Sequence, residues 1–395
     1  MEFIKPGTVF DFMKYRNVAV IVSSILMVLS IASVFWPGPN WGIDFSGGTE
    51  VQLRFRGAVS TNELREAIEG LGYQSPDVIA VQDRDNEYIV RVREVSTLPA
   101  GIEDTIREQM ASTLGEGTEI VALRVSPGGD KVSVRLGASA DPTQIRSALT
   151  AAGVEVRGDV VRFGPEGDNR YEANLVGVAD RMVSQLSEQL GERGPEPALR
   201  IEWVGPRAGA QLRASALRAM LYAIAFIMVY VAFRFDLRFA PGGIVALIHD
   251  VVITVGVFVL IRREFNLTTV ASLLTIIGYS INDTIVIYDR IRENMARHRG
   301  KTMGELINIS TSEMLSRTII TSGVTLLAII PFFIWGTQVI QDIALALFIG
   351  FVAGVYSTIF IAAPLTEFLD TRFFKDAREK AKARAARNAE AGVRT

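Results

Sequence analysis

No cysteine occurs among the 395 residues. Disulfide staples, thiolate metal sites and cysteine nucleophiles are therefore excluded together. Histidine is nearly as scarce: His249 and His298 are the only two, and the stretch 40–205 has neither, so no catalytic set can be assembled there from His and Cys. No GxxxxGK[ST] loop is present, which disfavours ATP-driven work. Charge is sparse at 21% of residues and nearly balanced, with 41 Lys+Arg against 43 Asp+Glu, so no specific nucleic-acid partner is expected. What abounds is apolar: 49% of residues, with a mean hydropathy of +0.27, too much for an ordinary soluble enzyme.

The apolar residues gather in long runs. Val18–Trp36 is nineteen residues without a charge; at about 1.5 Å per residue such a run nearly crosses a hydrocarbon core about 30 Å thick. A cleaved signal peptide is the competing reading. The run exceeds a usual signal core, however, and leads into Trp36-Pro37-Gly38-Pro39 rather than a small-x-small cleavage site. Five more spans are expected at Leu217–Phe233, Gly242–Ile261, Leu267–Tyr288, Thr318–Trp335 and Ile343–Pro364. Six spans place both termini on one side. Three Lys and Arg fall in residues 1–17, two in Arg234–Pro241, five in Asp289–Thr302 and eight in Leu365–Thr395, all on that side, which the positive-inside rule makes cytoplasmic. Arg207, Arg213, Arg218, Arg262 and Arg263 run against the bias, but long translocated domains are largely exempt from it. The expected division is a cytoplasmic N-terminus (1–17), a first span (18–36), an outer α+β domain (37–213), five spans (214–364) and a basic tail (365–395). The tail reads as a solvated helix, with contact to anionic lipid or ribosomal RNA as the alternative.

Within the outer domain, period-two strands alternate with helical spacing. Glu50–Phe55, Val78–Gln82, Tyr88–Val92 and Glu119–Val125 read as strands, and Asn62–Leu71 and Ile102–Leu114 as helices. Past Ser126-Pro127-Gly128-Gly129 the order recurs: Lys131–Leu136, Pro142–Ala152, Val154–Phe163, Tyr171–Leu175, Val178–Leu190 and Leu199–Val204. The expectation is a duplicated ferredoxin-like unit, with repeats at about 49–125 and 130–204. Gly42-Ile43-Asp44-Phe45-Ser46-Gly47-Gly48-Thr49 is either a ligand cradle or, as preferred here, a tight turn into the first strand.

Charges inside the spans ask for a reason, because each costs at least ~2.5–3.5 kcal/mol at mid-bilayer. Asp283 follows Asn282, and helical spacing aligns it with Tyr279, Thr275 and Ser272; Arg317 aligns with Thr321 and Thr325. If the fourth and fifth spans are neighbours, Asp283 and Arg317 can form a proton-switched pair, the alternative being a static pair that fixes packing. His249-Asp250 in the third span resembles a metal or relay pair, yet no third ligand is evident, and structural hydrogen bonding is the favoured role. Gly350 and Gly354 have GxxxG spacing, which serves a dimer or packing within one chain.

Taken together, these segments resemble the SecF family of bacterial protein-export subunits, itself similar to half of an RND-type transporter. The resemblance rests on Trp41 to Thr49, on Val204-Gly205-Pro206 and on His249-Asp250. It rests further on Gly278-Tyr279-Ser280-Ile281-Asn282-Asp283-Thr284, on Asp289 to Asn294, and on Ser316-Arg317-Thr318-Ile319-Ile320-Thr321-Ser322. It implies a polytopic α-helical protein of the bacterial inner membrane, with six spans and an extracytoplasmic ferredoxin-like domain, here duplicated. The implied partners are SecD, the SecYEG channel, YajC and YidC, membrane lipids and an unfolded exported polypeptide. The implied mechanism is coupling to H+ or Na+ flow without a cofactor or metal, with the family's ion-pathway Asp and Arg falling on Asp283 and Arg317. Asn282, Tyr279 and Thr321 are placed beside them, and His249 with Asp250 forms a second polar site. An RND-like transporter of small molecules or lipids is the rival reading, and a passive scaffold a third. The outer domain is about twice the size the resemblance leads one to expect, and the expected span start leaves Arg317 close to the cytoplasmic edge.

Overall fold

The uncharged run at the N-terminus folds as α1 (Arg16–Phe35), and its burial shows which side meets protein. Only Ala19, Ser23, Ser30 and Ser33 of this helix are buried, while Val18, Ile21, Ile25 and Val28 stay exposed. A seam of small residues lets backbones approach closely in an apolar solvent. The computed structural model describes residues 5, 7–74, 76–81, 84–99, 101–115, 119–165, 167–235, 238–298 and 300–374. The basic tail from Lys375 onward and Gln82, the expected end of a strand, lie outside the described residues.

The chain divides into two compact units: one runs up to Trp41 and resumes at Ser215, the other is Gly42–Ala214. After α1 come β1 (Asn40–Trp41) and the one-turn α2 (Ile43–Ser46), then β2 (Gly48–Arg54), α3 (Thr61–Gly70), β3 (Asp77–Ala80) and β4 (Glu87–Val92). Next are α4 (Ile102–Leu114), β5 (Ile120–Val125), β6 (Lys131–Leu136), α5 (Pro142–Ala151), β7 (Val156–Phe163) and β8 (Arg170–Leu175). The second unit closes with α6 (Val178–Leu190) and β9 (Arg200–Val204). Local chemistry starts these helices where the spacing predicts: Ser60 and Glu63 form a reciprocal cap for α3, and Asp141 caps α5 ahead of Pro142.

The elements lie close to where the pattern puts them, but their partnership differs from the expected repeats. Two four-stranded antiparallel sheets form, ordered β3-β4-β2-β9 and β5-β6-β8-β7. Thus β9, expected to close the second repeat, pairs with β2 of the first, with Gly48 opposite Val204. Conversely β5, expected to close the first, pairs with β6. The helices follow their strands: Met182 and Leu186 of α6 enter the first core, and Ile106 and Met110 of α4 enter the second. The boundaries near residues 125 and 130 are therefore replaced by a nested arrangement, in which α4 to β8 form one lobe inserted between β4 and α6 of the other. The cause is the turn 126–130. Ser126 Oγ accepts from the backbone N–H groups of Asp130 and Lys131 at 3.2 and 3.1 Å, so the chain reverses within five residues and β5 has β6 as its neighbour. Near the middle of the first sheet, burial pushes the Glu87 carboxyl up, but hydrogen bonds from Arg54 and Gln52 outweigh it and hold the group below the usual carboxylate range.

The Gly47-Gly48 pair is a turn demanded by crowding. Both residues have positive φ, +75° and +127°. A Cβ on Gly47 would stand 2.9 Å from Pro206 Cα, and one on Gly48 would run into the Val92 carbonyl oxygen. The tight-turn reading describes this geometry.

The remaining elements are α7 (Pro206–Arg234), α8 (Ala240–Leu260), β10 (Glu264–Phe265), α9 (Leu267–Arg297), α10 (Met303–Trp335), α11 (Gln338–Ser357) and α12 (Ala363–Leu369). A wider helical turn, Thr358–Ala362, joins the last two. Among the described residues, six helices are long and apolar enough to cross a membrane: Met13–Phe35, Pro206–Arg234, Ala240–Leu260, Leu267–Arg297, Met303–Trp335 and Gln338–Phe373. Four of them, those starting at Pro206, Leu267, Met303 and Gln338, are much longer than the expected spans. Helix α9 runs on to Arg297, and α10 starts fifteen residues before Thr318 because Thr302 and Glu305 cap each other there. Arg317 consequently sits in the middle of a helix of 33 residues, not at its edge. Gly350 and Gly354 lie against Ile276 and Ser280 of α9, so the GxxxG spacing is used for packing inside this chain. Beyond α8, β1 and β10 form a short parallel pair, Asn40 opposite Glu264 and Trp41 opposite Phe265.

Candidate functional site

Helices α8, α9, α10 and α11 pack around one another and bring the intramembrane polar residues into two clusters. The first is closed. Asp250 on α8 is fully buried and His249 is 4% exposed. Oδ1 of Asp250 is 3.0 Å from His249 Nδ1, while Oδ2 accepts hydroxyls from Ser280 of α9 at 2.6 Å and Ser357 of α11 at 2.8 Å. One carboxyl group thus ties three helices, and its lone pairs are occupied from within the chain. Ser280 and Ser357 were not foreseen as members, since they lie 30 and 107 positions from Asp250 and a lone serine in an apolar helix gives no direction.

The second cluster is open. Asp283 on α9 is 7% exposed and accepts a hydroxyl from Ser322 of α10 at 3.4 Å. Packing of α9 against α10 is as the pairing hypothesis requires. Among the described residues, however, the structure does not join Asp283 and Arg317 in an ion pair; Arg317 is exposed, and so are Asn282 and Thr321. Thr321 returns its hydroxyl to the Arg317 carbonyl at 2.9 Å. Tyr279 is half-buried, donates to Thr325 Oγ1 at 3.2 Å and stacks on Phe351 with ring centres 4.0 Å apart. The expected polar stripe through Thr275 and Ser272 splits, with Thr275 exposed and Ser272 buried. What results is a buried carboxyl behind an outward strip of Asn282, Arg317 and Thr321, on a surface that otherwise presents Ile319, Val324 and Leu327.

Comparison with known proteins gives this geometry a lineage. The family model described as "Protein export membrane protein SecD/SecF, C-terminal" matches residues 186–372, and "SecD/SecF GG Motif" matches residues 33–59. Protein translocase subunit SecF of Magnetococcus marinus is 35% identical over 371 residues, covering 94% of this chain and 95% of the relative. The SecF subunit of Rickettsia felis is 38% identical over 375 residues, covering 94% and 96%. The chain belongs to the SecF family. It is thus a multi-pass membrane protein of a family of protein translocase subunits, with six membrane-length helices among the described residues and an α+β domain. A crystal structure of SecDF, a translocon-associated membrane protein from Thermus thermophilus, is 29% identical with a TM-score of 0.64, over 94% of this chain and 40% of that one. SecDF in a super-membrane-facing form is 30% identical with a TM-score of 0.56, over 97% and 41%. The chain therefore spans about two-fifths of the solved SecDF chains. Both polar clusters lie within the SecD/SecF C-terminal match, and Gly47 and Gly48 within the GG motif. Neither family model covers residues 60–185, where the whole inserted lobe lies, but the SecF relatives align over 94% of this chain and 95% and 96% of their own length, so against them the expected doubling of the outer domain is not found.

Proposed function

We propose that this chain, with a SecD subunit and the SecYEG channel, uses the proton-motive force to assist polypeptide export across a bacterial inner membrane, with both termini cytoplasmic. One observation carries the reading: an exposed arginine halfway along a membrane-length helix, flanked by Asn282 and Thr321, with a carboxyl group buried just behind it. At least ~2.5–3.5 kcal/mol opposes leaving such a side chain in lipid. A second subunit that covers α9 and α10 and sets an acidic or polar group opposite Arg317 removes that penalty. The solved relatives are SecDF proteins, and SecD fits that place. YajC and YidC are further candidate partners of the assembly.

In this reading Asp283 is the ion-carrying group. Ser322 donates its hydroxyl to this group, and a proton arriving along the polar strip neutralises it. Its charge then no longer holds Arg317 toward α9, so the fit between the two subunits changes. One charge moved across 100 mV supplies about 2.3 kcal/mol, enough to tip two nearly balanced arrangements. Residues 37–213 are the outer body that this change moves against an emerging unfolded polypeptide. Proton is the ion proposed, with sodium as the variant the same carboxyl group serves.

The test is export of a reporter precursor in cells carrying Asp283→Asn, at imposed and collapsed proton gradients, with membrane insertion and SecD association followed alongside. Expected is normal assembly and loss of most of the gradient-dependent stimulation, tenfold or more by analogy with other positioned proton-transfer groups. Unchanged export with unchanged gradient dependence would sink the reading and bring forward a scaffold or a small-molecule transporter.

A further inference from the structure

Asn294 belongs to neither polar cluster, yet it is fully buried on α9. Its Nδ2 donates to Ser310 Oγ at 3.0 Å and to Glu313 Oε2 at 2.7 Å, both on α10. The same Glu313 oxygen accepts from Arg290 Nε of α9 at 2.7 Å. The amide oxygen of Asn294, however, is buried without a hydrogen-bond partner among the described residues. An amide buried with its oxygen unmet is less stable than an apolar side chain of the same shape. Stability therefore does not account for it. The best-attested use of a lone polar residue between packed helices is to fix their register.

The register in question is legible along the whole α9–α10 seam. Asn294 meets Ser310, Arg290 meets Glu313, Asp283 meets Ser322 and Tyr279 meets Thr325. Fifteen residues back along α9, from Asn294 to Tyr279, are matched by fifteen forward along α10, from Ser310 to Thr325, as one antiparallel register of about 22 Å requires. Between the polar ends, Ile287 and Ile291 of α9 share an apolar core with Met314 and Leu315 of α10. On such a surface a shift of one turn, about 5.4 Å, sets apolar against apolar again. At Asn294 and Glu313 the same shift breaks three hydrogen bonds in a buried place.

The height of Arg317 depends on that choice. In the observed register it lies five residues, about 7 Å along the axis, short of Ser322 and hence of the level of Asp283. A slip of one turn in one direction replaces Ser322 by Thr318 and brings Arg317 to the Asp283 carboxyl. A buried ion pair closed in this way gives up neither member readily. We infer that Asn294, with Ser310, Glu313 and Arg290, is a register lock whose members are positioning residues: it holds Arg317 about a turn away from Asp283, so that both charges stay available. The inference rests on the ion-carrying role proposed for Asp283.

A chain without cysteine makes the register measurable. Tyr279→Cys with Thr325→Cys reports the observed register, and Tyr279→Cys with Thr321→Cys the slipped one, each joined by a short bifunctional thiol reagent on the full-length chain in native membranes. With the lock intact the first pair is expected to link about tenfold faster than the second. Asn294→Leu, apolar and of similar size, is expected to keep a thermal midpoint no lower than the parent's, yet to bring the two rates within about twofold and, in the chain free of cysteine, to lose most gradient-dependent export. Glu313→Ala is expected to do the same to linking and export. Glu313→Gln restores both, because one side-chain oxygen serves Asn294 and Arg290 together. Where Asn294→Leu does not accumulate, the two Glu313 variants decide. A linking preference equal to the parent's in Asn294→Leu and Glu313→Ala overturns the lock, whatever Asp283→Asn does to export. A lost preference with gradient-dependent export intact, in cells where Asp283→Asn abolishes it, overturns the role given to the lock.

Discussion

Two buried carboxyl groups in one helical bundle have opposite surroundings. Asp250 is enclosed by His249, Ser280 and Ser357, with partners drawn from three helices of its own chain. Asp283 meets a single hydroxyl at the margin of hydrogen-bond distance, and beside it Asn282, Arg317 and Thr321 face outward. Burial alone does not separate them. The difference lies in how far the chain itself supplies the carboxyl group's partners: three of them at Asp250, one long hydrogen bond at Asp283. A polar group whose partners are all internal is bound to the fold, and one whose partners are missing is free to answer to something else.

Substitution of the two carboxylates is the strongest way to break this contrast. Asp250→Ala strands an imidazole and two hydroxyls in an apolar interior and is expected to cost about 3–5 kcal/mol, seen as loss of folded protein and a lower thermal midpoint in detergent. Asp283→Ala is expected to cost under about 1 kcal/mol in the same measurement, because a single long hydrogen bond is all it gives up. Equal losses at both positions would erase the distinction. Their hydroxyl partners sharpen it on a smaller scale: Ser357→Ala should destabilise by about 1–3 kcal/mol, as expected where a buried acceptor loses a close donor, and Ser322→Ala by a few tenths. Smallest of all is Thr321→Val, expected to change the stability of the isolated chain by less than about 0.5 kcal/mol. Its effect should appear instead as weaker co-purification of the covering subunit. Normal co-purification would mean that the outward strip is not the contact.

The same contrast marks how far the amino-acid pattern could be read. His249, Asp250, Asp283 and Arg317 stand out because charge is expensive in a span, whatever surrounds it. Their partners do not stand out. Ser280 and Ser357 become informative only when α9 and α11 are set against α8, and nothing local in an apolar helix announces that neighbour. The apolar pattern starts the fifth span at Thr318 and leaves open a helix that begins earlier, around Ser310; α10 begins earlier still, at Met303, and Ser310, Thr311 and Ser312 are buried against protein within it. The Thr302–Glu305 cap was the legible sign of the true start. In the outer domain, turn residues and hydrophobic period located the strands and helices to within a residue or two. Which strand pairs with which is a long-range choice, and the repeat order suggested the wrong one. Ser126-Pro127-Gly128-Gly129-Asp130 is a hairpin turn, and reading it as a boundary between repeats separated β5 from its true neighbour.

The nested sheets also set a timetable for the chain as it emerges. All four strands of the inserted lobe lie between Ile120 and Leu175, so its contacts are short in sequence and available early. The lobe around it begins sooner, at β2, but its edge strand β9 arrives only at Arg200, after the whole insertion has passed. Loop-closure entropy for that last pairing grows only with the logarithm of the intervening length, and an insertion already folded shortens the effective loop. The part that starts first must therefore be finished last, and until β9 docks, β2 exposes an open edge to any extended segment nearby.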